Sequence, residues 1–450
     1  MNQSSSLIAD SIRTQKTSLL PSPANPEYIY PVELFPAAKE FDVSLIVPAI
    51  VVPSKLVSEY RKQLKEFVLD KAKLKVIVPL GDDDIIPVGL ERRKHRKILL
   101  TKRSNIFDEE KIAKLLRNEG CFKANHELSQ SYEDWSTHEV LSRLLPFPPN
   151  DVPSSFEQIG RLAHLNLRDD LLPFKYMIGK VILDKNSPRI QTVVNKLASI
   201  ESKYRTFNME VIAGNKADGW SLVSVKEEGC QFEMDFTKVY WNSRLGGEHR
   251  RLTQIIADQA KDADSPVIVA DLMAGIGPFA IPLTSKGHKI EVHANDLNPE
   301  SYNYLLSNSR KNRCTRLLCY NMDARDFCKY LQDSGIVFSH VIMNLPATAP
   351  EFLDAFRGFR GVRLPRIHVH CFAPKDHNEA AKDAVKRCES ALGCTLDIDE
   401  NQVKVIDVRN VSPKKNMYCI SFDLPEAIRS VQSDRRRQSS HVEAKRQKLT

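Results

Sequence analysis

A chain of 450 residues with 42% hydrophobic content holds enough apolar mass for two or three cores, since single cores stop growing near ~250 to 300 residues. Charges interrupt every apolar segment, so no run reaches the ~18 consecutive apolar residues of a membrane span, and a soluble protein is expected. Nine cysteines, an odd number with no C-x-x-C pair, suggest neither a disulfide framework nor a bound metal and fit a reducing compartment.

The formal net charge is +8, and residues 426–450 carry seven Lys or Arg against three Asp or Glu, so this tail supplies half of the excess. The remainder is mildly basic, which permits a nucleic-acid partner without requiring one. The tail lacks apolar periodicity and is expected to be disordered; its split basic clusters resemble a nuclear localisation signal. At the other end, residues 1–27 form a flexible segment rich in Ser and Thr, with Arg13 and Lys16 against Asp10, the composition of a mitochondrial transit peptide.

From Pro31 to Leu145 two strand-like runs, Ser44 to Val52 and Lys75 to Leu80, flank a helical run from Leu56 to Leu69 whose apolar positions recur at three and four. Arg92 to Arg103 packs seven basic residues around Lys97-Ile98-Leu99-Leu100, either a phosphate-facing strand or an edge strand guarded by charge. Four prolines between Leu144 and Ser155 end this unit, because proline continues neither a helix nor a central strand. A second α/β unit follows: a helix over Phe156 to Leu167, a strand over Met177 to Lys185, a helix over Ile190 to Leu197, and strands within Phe207 to Gly214 and Gly229 to Trp241.

After Asp264 the alternation becomes regular. Strands are expected at Pro266 to Met273, Lys289 to Asp296, Leu317 to Tyr320, His340 to Pro346 and Arg366 to Ala373, and helices from Pro278, over Glu300 to Asn312 and over Asn378 to Leu392. The last two apolar runs, Gln402 to Val411 and Met417 to Leu424, are close enough for an antiparallel hairpin at a sheet edge. The fold expected is therefore α/β, a Rossmann-type class I methyltransferase domain preceded by two smaller α/β domains. The segments are 28–147, 148–239 and 240–425, between the flexible residues 1–27 and the basic tail 426–450.

The chemistry concentrates at strand ends. Asp271-Leu272-Met273-Ala274-Gly275-Ile276-Gly277-Pro278 is a turn in which glycine lets backbone approach a ligand, and it lacks the third glycine of a dinucleotide site. That favours S-adenosylmethionine. Asp296, 25 residues after Asp271, can accept bonds from the ribose hydroxyls, or else cap the helix before Pro299. Asp323 and Ala324 follow the third strand, where side chain and backbone can read adenine; the alternative is a turn aspartate. Asn344-Leu345-Pro346 is a version of the N-P-P turn of methyltransferases that act on nitrogen, although an Asn starting a turn before Pro looks the same.

Val239 to Leu252, Asp271 to Pro282, Ala294 to Leu305, Met322 to Phe327 and Val341 to Ala349 together resemble the tRNA (guanine-37-N1) methyltransferase family of eukaryotes and archaea. The resemblance spans roughly residues 150–424 and is most specific from Tyr240 to Asn344. It implies methylation of N1 of guanosine beside the anticodon, with S-adenosylmethionine as cofactor and tRNA held by its outer corner and anticodon arm. The product would support reading-frame maintenance and, where present, wybutosine synthesis. Arg205, Glu248 and Asn344 take the positions of the family's catalytic trio, and His249, Asp296, Leu297, Asp323, Ala324 and Asn344 those of its cofactor contacts, with Gly275 in the turn. His249 departs from an arginine of some archaeal members, and Met273 stands where Phe or another apolar residue is often found.

In that frame Glu248 is the general base, and a closed, partly dehydrated site would raise its pKa. Arg205 would steady charge developing on O6, and Asn344 would hold the base in line with the methyl group. Without the resemblance, Arg205 reads as a surface or ion-paired residue and Glu248 as a helix-start carboxylate. Tyr240 and Trp241 could stack on a base or serve the core. An aminocarboxypropyl transferase of wybutosine synthesis and a catalytically silent RNA-binding subunit are the rival readings. A monomer distributed among cytoplasm, nucleus and mitochondrial matrix is the further expectation.

Overall fold

The computed structural model describes residues 41–70, 74–153, 155–197, 208–285, 289–375 and 377–432. Arg205, the transit-like N-terminus and the basic clusters of the tail lie outside them. The chain divides into two compact units, one of Met1–Phe156, Leu167–Val193 and Ile212–Gly214, the other of Glu157–Asn166, Val194–Val211 and Asn215–Thr450.

The first unit is built on a four-stranded antiparallel sheet of β1 (Val43–Pro53), β2 (Ile77–Pro79), β3 (His95–Leu99) and β4 (Phe122–Gln130), in the order β2-β3-β1-β4. Ile50, Val52, Ile98 and Leu100 bury one face with Leu64 and Ile112. The helix expected to reach Leu69 stops at Gln63. Beyond it Val68 bridges Leu100 and the Leu69 N–H donates to the Leu99 carbonyl at 3.0 Å, so strand pairing claims the residues that helical periodicity would have extended. The basic run is also corrected. β3 lies inside the sheet, not at its edge, and Lys97 is buried with its ammonium on the Asp84 carboxylate.

Residues 156–197 reverse the expected assignment. Phe156 to Leu167 forms two short strands, β5 (Glu157–Ile159) and β6 (Leu162–Leu165), paired antiparallel around a tight turn at Gly160, whose φ is 57°. The expected strand at Met177 is instead the helix Lys175–Asn186, which buries Ile178, Val181 and Ile182 at helical spacing. The expected helix at Ile190 is strand β7 (Thr192–Lys196). Apolar runs this short carry no period that separates a buried helix from a buried strand. β8 (Met209–Gly214) agrees with expectation.

The second unit contains the hairpin of β9 (Leu222–Glu227) and β10 (Cys230–Asp235), followed by the 16-residue helix Gly246–Lys261. Its main sheet has seven strands: β11 (Val267–Asp271), β12 (Ile290–Asn295), β13 (Leu317–Tyr320), β14 (His340–Met343), β15 (Arg366–Pro374), β16 (Lys404–Ser412) and β17 (Lys415–Asp423). The order is β13-β12-β11-β14-β15-β17-β16; the first five are parallel, and β17 is antiparallel to both neighbours. The terminal hairpin therefore sits at the edge, as expected.

Successive residues of these strands enter opposite cores. Val269 and Ile342 pack with Phe279, Leu252 and Ile256 on one face; Ala270, Val341 and Met343 pack with Phe327, Leu353 and Ile420 on the other. Two covered faces explain why the strands read as nearly continuous apolar runs. The order reverses between β12-β11 and β14, which opens a crevice at the carboxyl ends of those strands.

Candidate active site

Asp271, Asp296, Asp323 and Asn344 all leave, or directly follow, carboxyl ends of parallel strands. The turn after β11 is shaped by Gly275 at φ 57° and Gly277 at φ 98°. At Gly277 the positive φ already disfavours a side chain, and a Cβ would stand 2.7 Å from Leu305 Cδ1 and 2.8 Å from Ile281 Cδ1. Asp296 Oδ2 accepts from the Gly275 N–H at 2.8 Å, and Oδ1 accepts from the Asn298 N–H at 2.9 Å. The Ser301 side chain also bonds this carboxylate, which leaves one lone pair for a further hydroxyl donor. Asn298, not Asp296, caps the helix Pro299–Lys311. Burial raises the Asp296 pKa, against the bonds from Asn298, Gly275 and the Ser301 side chain.

Asp323 is a helix cap as well as a strand-end residue, for its Oδ1 accepts from the Arg325 N–H at 2.9 Å. Ala324 is buried at the first position of that helix, and Leu297 is exposed beside Asp296. Asn344 directly follows β14, with its side-chain Oδ1 buried and without a hydrogen-bond partner. Asn295 holds these strand ends together. Its side-chain amide donates to the carbonyls of Leu272 and Met322, at 3.1 and 3.0 Å, and its Oδ1 accepts from the Met322 N–H at 2.9 Å.

Two buried carboxylates differ sharply. Asp271 is wholly buried and no side chain among the described residues donates to either oxygen. Burial pushes its pKa up to about 8, a backbone bond at Met273 opposing and the charge of Asp296 assisting. Glu248, in the first turn of helix Gly246–Lys261, is nearly as deep, and burial alone would raise it too. Yet Arg251 donates through Nε to Oε2 and through Nη2 to Oε1, both at 2.7 Å, and His370 Nε2 meets Oε1 at 2.8 Å. These bonds and charges outweigh burial and hold Glu248 at about 2. The expectation of a raised Glu248 pKa is therefore overturned: the carboxylate is ionised because it is paired.

His370, on β15, is fully buried. Burial opposes its charge, while the adjacent Cys419 and the Glu248 carboxylate outweigh that and push its pKa up to about 10. Glu248 only accepts when ionised, so His370 Nε2 donates. Donor atoms of Glu248, His370 and Cys419 lie within 4.8 Å of one another. The Arg251 guanidinium already neutralises the carboxylate there. Phe279 links this cluster to the Gly-rich turn, its ring centroid 4.8 Å from His249 and 6.0 Å from His370.

His249 Nδ1 meets Glu227 Oε1 at 2.6 Å. Trp241 serves the core, buried and packed at 5.3 Å on Phe232, whereas Tyr240 is exposed. Sequence reasoning missed Arg251, His370 and Asn295. Arg251 had a readable signal, three residues after Glu248 on a helix, where side chains meet. Asn295 was a polar residue in an apolar strand, and His370 had no local signal.

The residues suit an adenosyl cofactor on structural grounds: a turn shaped by two positive-φ glycines, acceptor capacity left on Asp296, and an orphaned amide oxygen on Asn344. Comparison with known proteins agrees. Residues 223–398 match the TRM5/TYW2 methyltransferase domain, and residues 138–217 match the TYW2 N-terminal domain. The chain is 52% identical over 391 residues to the tRNA (guanine(37)-N(1))-methyltransferase 1 of Phaeodactylum tricornutum, covering 85% of this chain and 86% of that one. It is 41% identical over 419 residues to the tRNA (guanine(37)-N(1))-methyltransferase of Phytophthora infestans, covering 91% and 96%. Trm5b from Pyrococcus abyssi shares the fold, with a TM-score of 0.57 at 23% identity over 84% of this chain and 99% of that one.

Proposed function

The chain belongs to the tRNA (guanine(37)-N(1))-methyltransferase family, and from that premise we propose that it methylates N1 of guanosine 37 in tRNA, with Glu248 as the general base. The observation that carries the assignment of Glu248 is its lone-pair count. Oε1 already accepts from Arg251 Nη2 and His370 Nε2, whereas Oε2 accepts only from Arg251 Nε. One lone pair on Oε2 is left for a substrate N–H.

S-adenosylmethionine supplies an electrophilic methyl group on a sulfonium that leaves as a neutral thioether. The chain's part is to bind, orient and take a proton. Asp296 holds a ribose hydroxyl, and Asp323 with the backbone at Ala324 borders the adenine. Guanine N1 carries a proton at neutral pH, and that proton passes to Glu248 Oε2 as the N1–methyl bond forms. A carboxylate held near 2 is too weak a base to strip N1 beforehand, so proton transfer accompanies methyl transfer. Asn344 offers its orphaned Oδ1 to an amino group of the base, fixing N1 in line with the methyl group. Arg205 keeps the role its resemblance implies, steadying the charge that grows on O6. The nucleotide must leave the anticodon-loop stack to enter, at a cost of a few kcal/mol that is least in a loop.

Incubation of the protein with unmodified tRNA and cofactor, followed by nucleoside mass analysis, is expected to yield N1-methylguanosine and no product from a transcript with adenosine at position 37. An aminocarboxypropyl adduct, or equal methylation of the adenosine transcript, would sink the proposal.

A further inference from the structure

We propose that Arg251 and His370 are positioning residues of the methyl transfer, fixing the Glu248 carboxylate so that the free lone pair of Oε2 faces the guanine N1–H. The inference rests on Glu248 being the base. Its own support is geometric. Three bonds of 2.7 to 2.8 Å come from two directions, one donor on the same helix and one on β15, so rotation of the carboxylate about its χ angles breaks at least one of them. Bidentate arginine adds planarity: the guanidinium and carboxylate lie as a fork, which also fixes the edge left open.

A purely structural role explains these residues poorly. A buried ionic cluster is commonly no more stabilising than apolar groups of the same volume, because taking the charges out of water offsets their attraction. Here the cluster sits where Phe279, from the cofactor turn, packs on His370, and the Glu248 carboxylate acts on that imidazole. The groups facing Glu248 and His370 are Arg251 on the same helix, Asp271 at the end of β11, His368 on β15 and Cys419 on β17. His368 is held neutral by burial and neighbouring positive charge, so the positive groups against Glu248 are Arg251 and His370.

Loss of either donor leaves a buried carboxylate with one partner fewer. Its pKa then rises, and the pH profile of the reaction acquires an acid limb that the intact protein lacks. The test is the single-turnover rate constant on unmodified tRNA for Arg251→Met, His370→Ala and His370→Gln, measured from about pH 5.5 to about pH 9 with cofactor affinity measured in parallel. We expect Arg251→Met and His370→Ala to slow methyl transfer about tenfold or more at alkaline pH, with an acid limb entering near about pH 6. His370→Gln, which restores a neutral N–H donor, should recover most of the rate. Cofactor dissociation constants within about threefold of the wild type show that the pocket is intact. If Arg251→Met loses cofactor binding, the two His370 variants decide alone. A rate within twofold of wild type and an unmoved profile for His370→Ala overturn the inference, as does failure of His370→Gln to outperform His370→Ala. Glu248→Gln is run alongside. A wild-type rate for that variant removes the base itself, whereas a slow Glu248→Gln with unaffected His370 variants removes only this inference.

Discussion

The end of β11 and the start of helix Gly246–Lys261 each bury a carboxyl group, and the two groups end in opposite protonation states. Burial pushes Asp271 up to about 8, and only backbone at Met273 donates against it. Glu248 is drawn down to about 2 because Arg251 and His370 donate three bonds to it. Both are buried, Asp271 the deeper, but the partners differ more. Burial sets the penalty for charge, and only local donors decide whether the penalty is overcome. A carboxyl kept neutral has no lone negative charge to offer, whereas a carboxyl kept ionised can take a proton.

Removing the ionised member should have the largest effect. Glu248→Gln is expected to lower the single-turnover rate by about 100-fold or more while moving cofactor affinity little. Equal losses in rate and affinity would mean that Glu248 positions the cofactor instead. The same variant strands Arg251 and His370, costing about 3 kcal/mol in urea unfolding at neutral pH. The sign with pH follows from the shift. Glu248 lies below its ordinary value of 4.5, so its contribution is complete above that value and is lost as pH falls through about 2. The acid limb of stability should accordingly flatten in the variant.

Asp271 should show the reverse sign. Its folded value, about 8, exceeds the ordinary 3.8, so the folded protein keeps a proton that the unfolded chain releases between them. Stability falls as pH rises across that window. Asp271→Asn removes this slope, and thermal melting without cofactor at about pH 5 and about pH 9 should differ less in the variant than in the wild type. Parallel slopes would show that Asp271 is ionised in the fold and would erase the contrast with Glu248.

Asp323 separates a cap from a contact on a smaller scale. Asp323→Ala removes the bond from the Arg325 N–H and should cost about 1 kcal/mol of stability. A rise in cofactor dissociation constant accompanies it if Asp323 also borders the adenine; stability loss alone would leave only the cap.

The strand ends were legible because chemistry at a switch point needs particular residues at fixed chain distances. Asp271, Gly275, Gly277, Asp296, Asp323 and Asn344 follow β11 to β14 in order, and the structure places each at the carboxyl end of its strand. The terminal hairpin was legible too, since a short turn between apolar runs leaves antiparallel pairing as the compact solution. Residues 156–197 were not: their apolar stretches are too short to carry a period, and packing assigned two strands, a helix and a strand where a helix, a strand and a helix were expected. Nor did charge content place β3, where Lys97 is buried because Asp84 is there to meet it.

For this protein the sequence by itself determined the family, the cofactor turn and the residue types of the site, because backbone approach and hydrogen-bond capacity are properties of residue identity. Tertiary structure alone decided the state of those residues. Glu248 was expected to have a raised pKa and is held low instead, since the donor that completes its pairing, His370, stands 122 positions away on β15. A pKa is set by what is near in space, and chain distance does not report that.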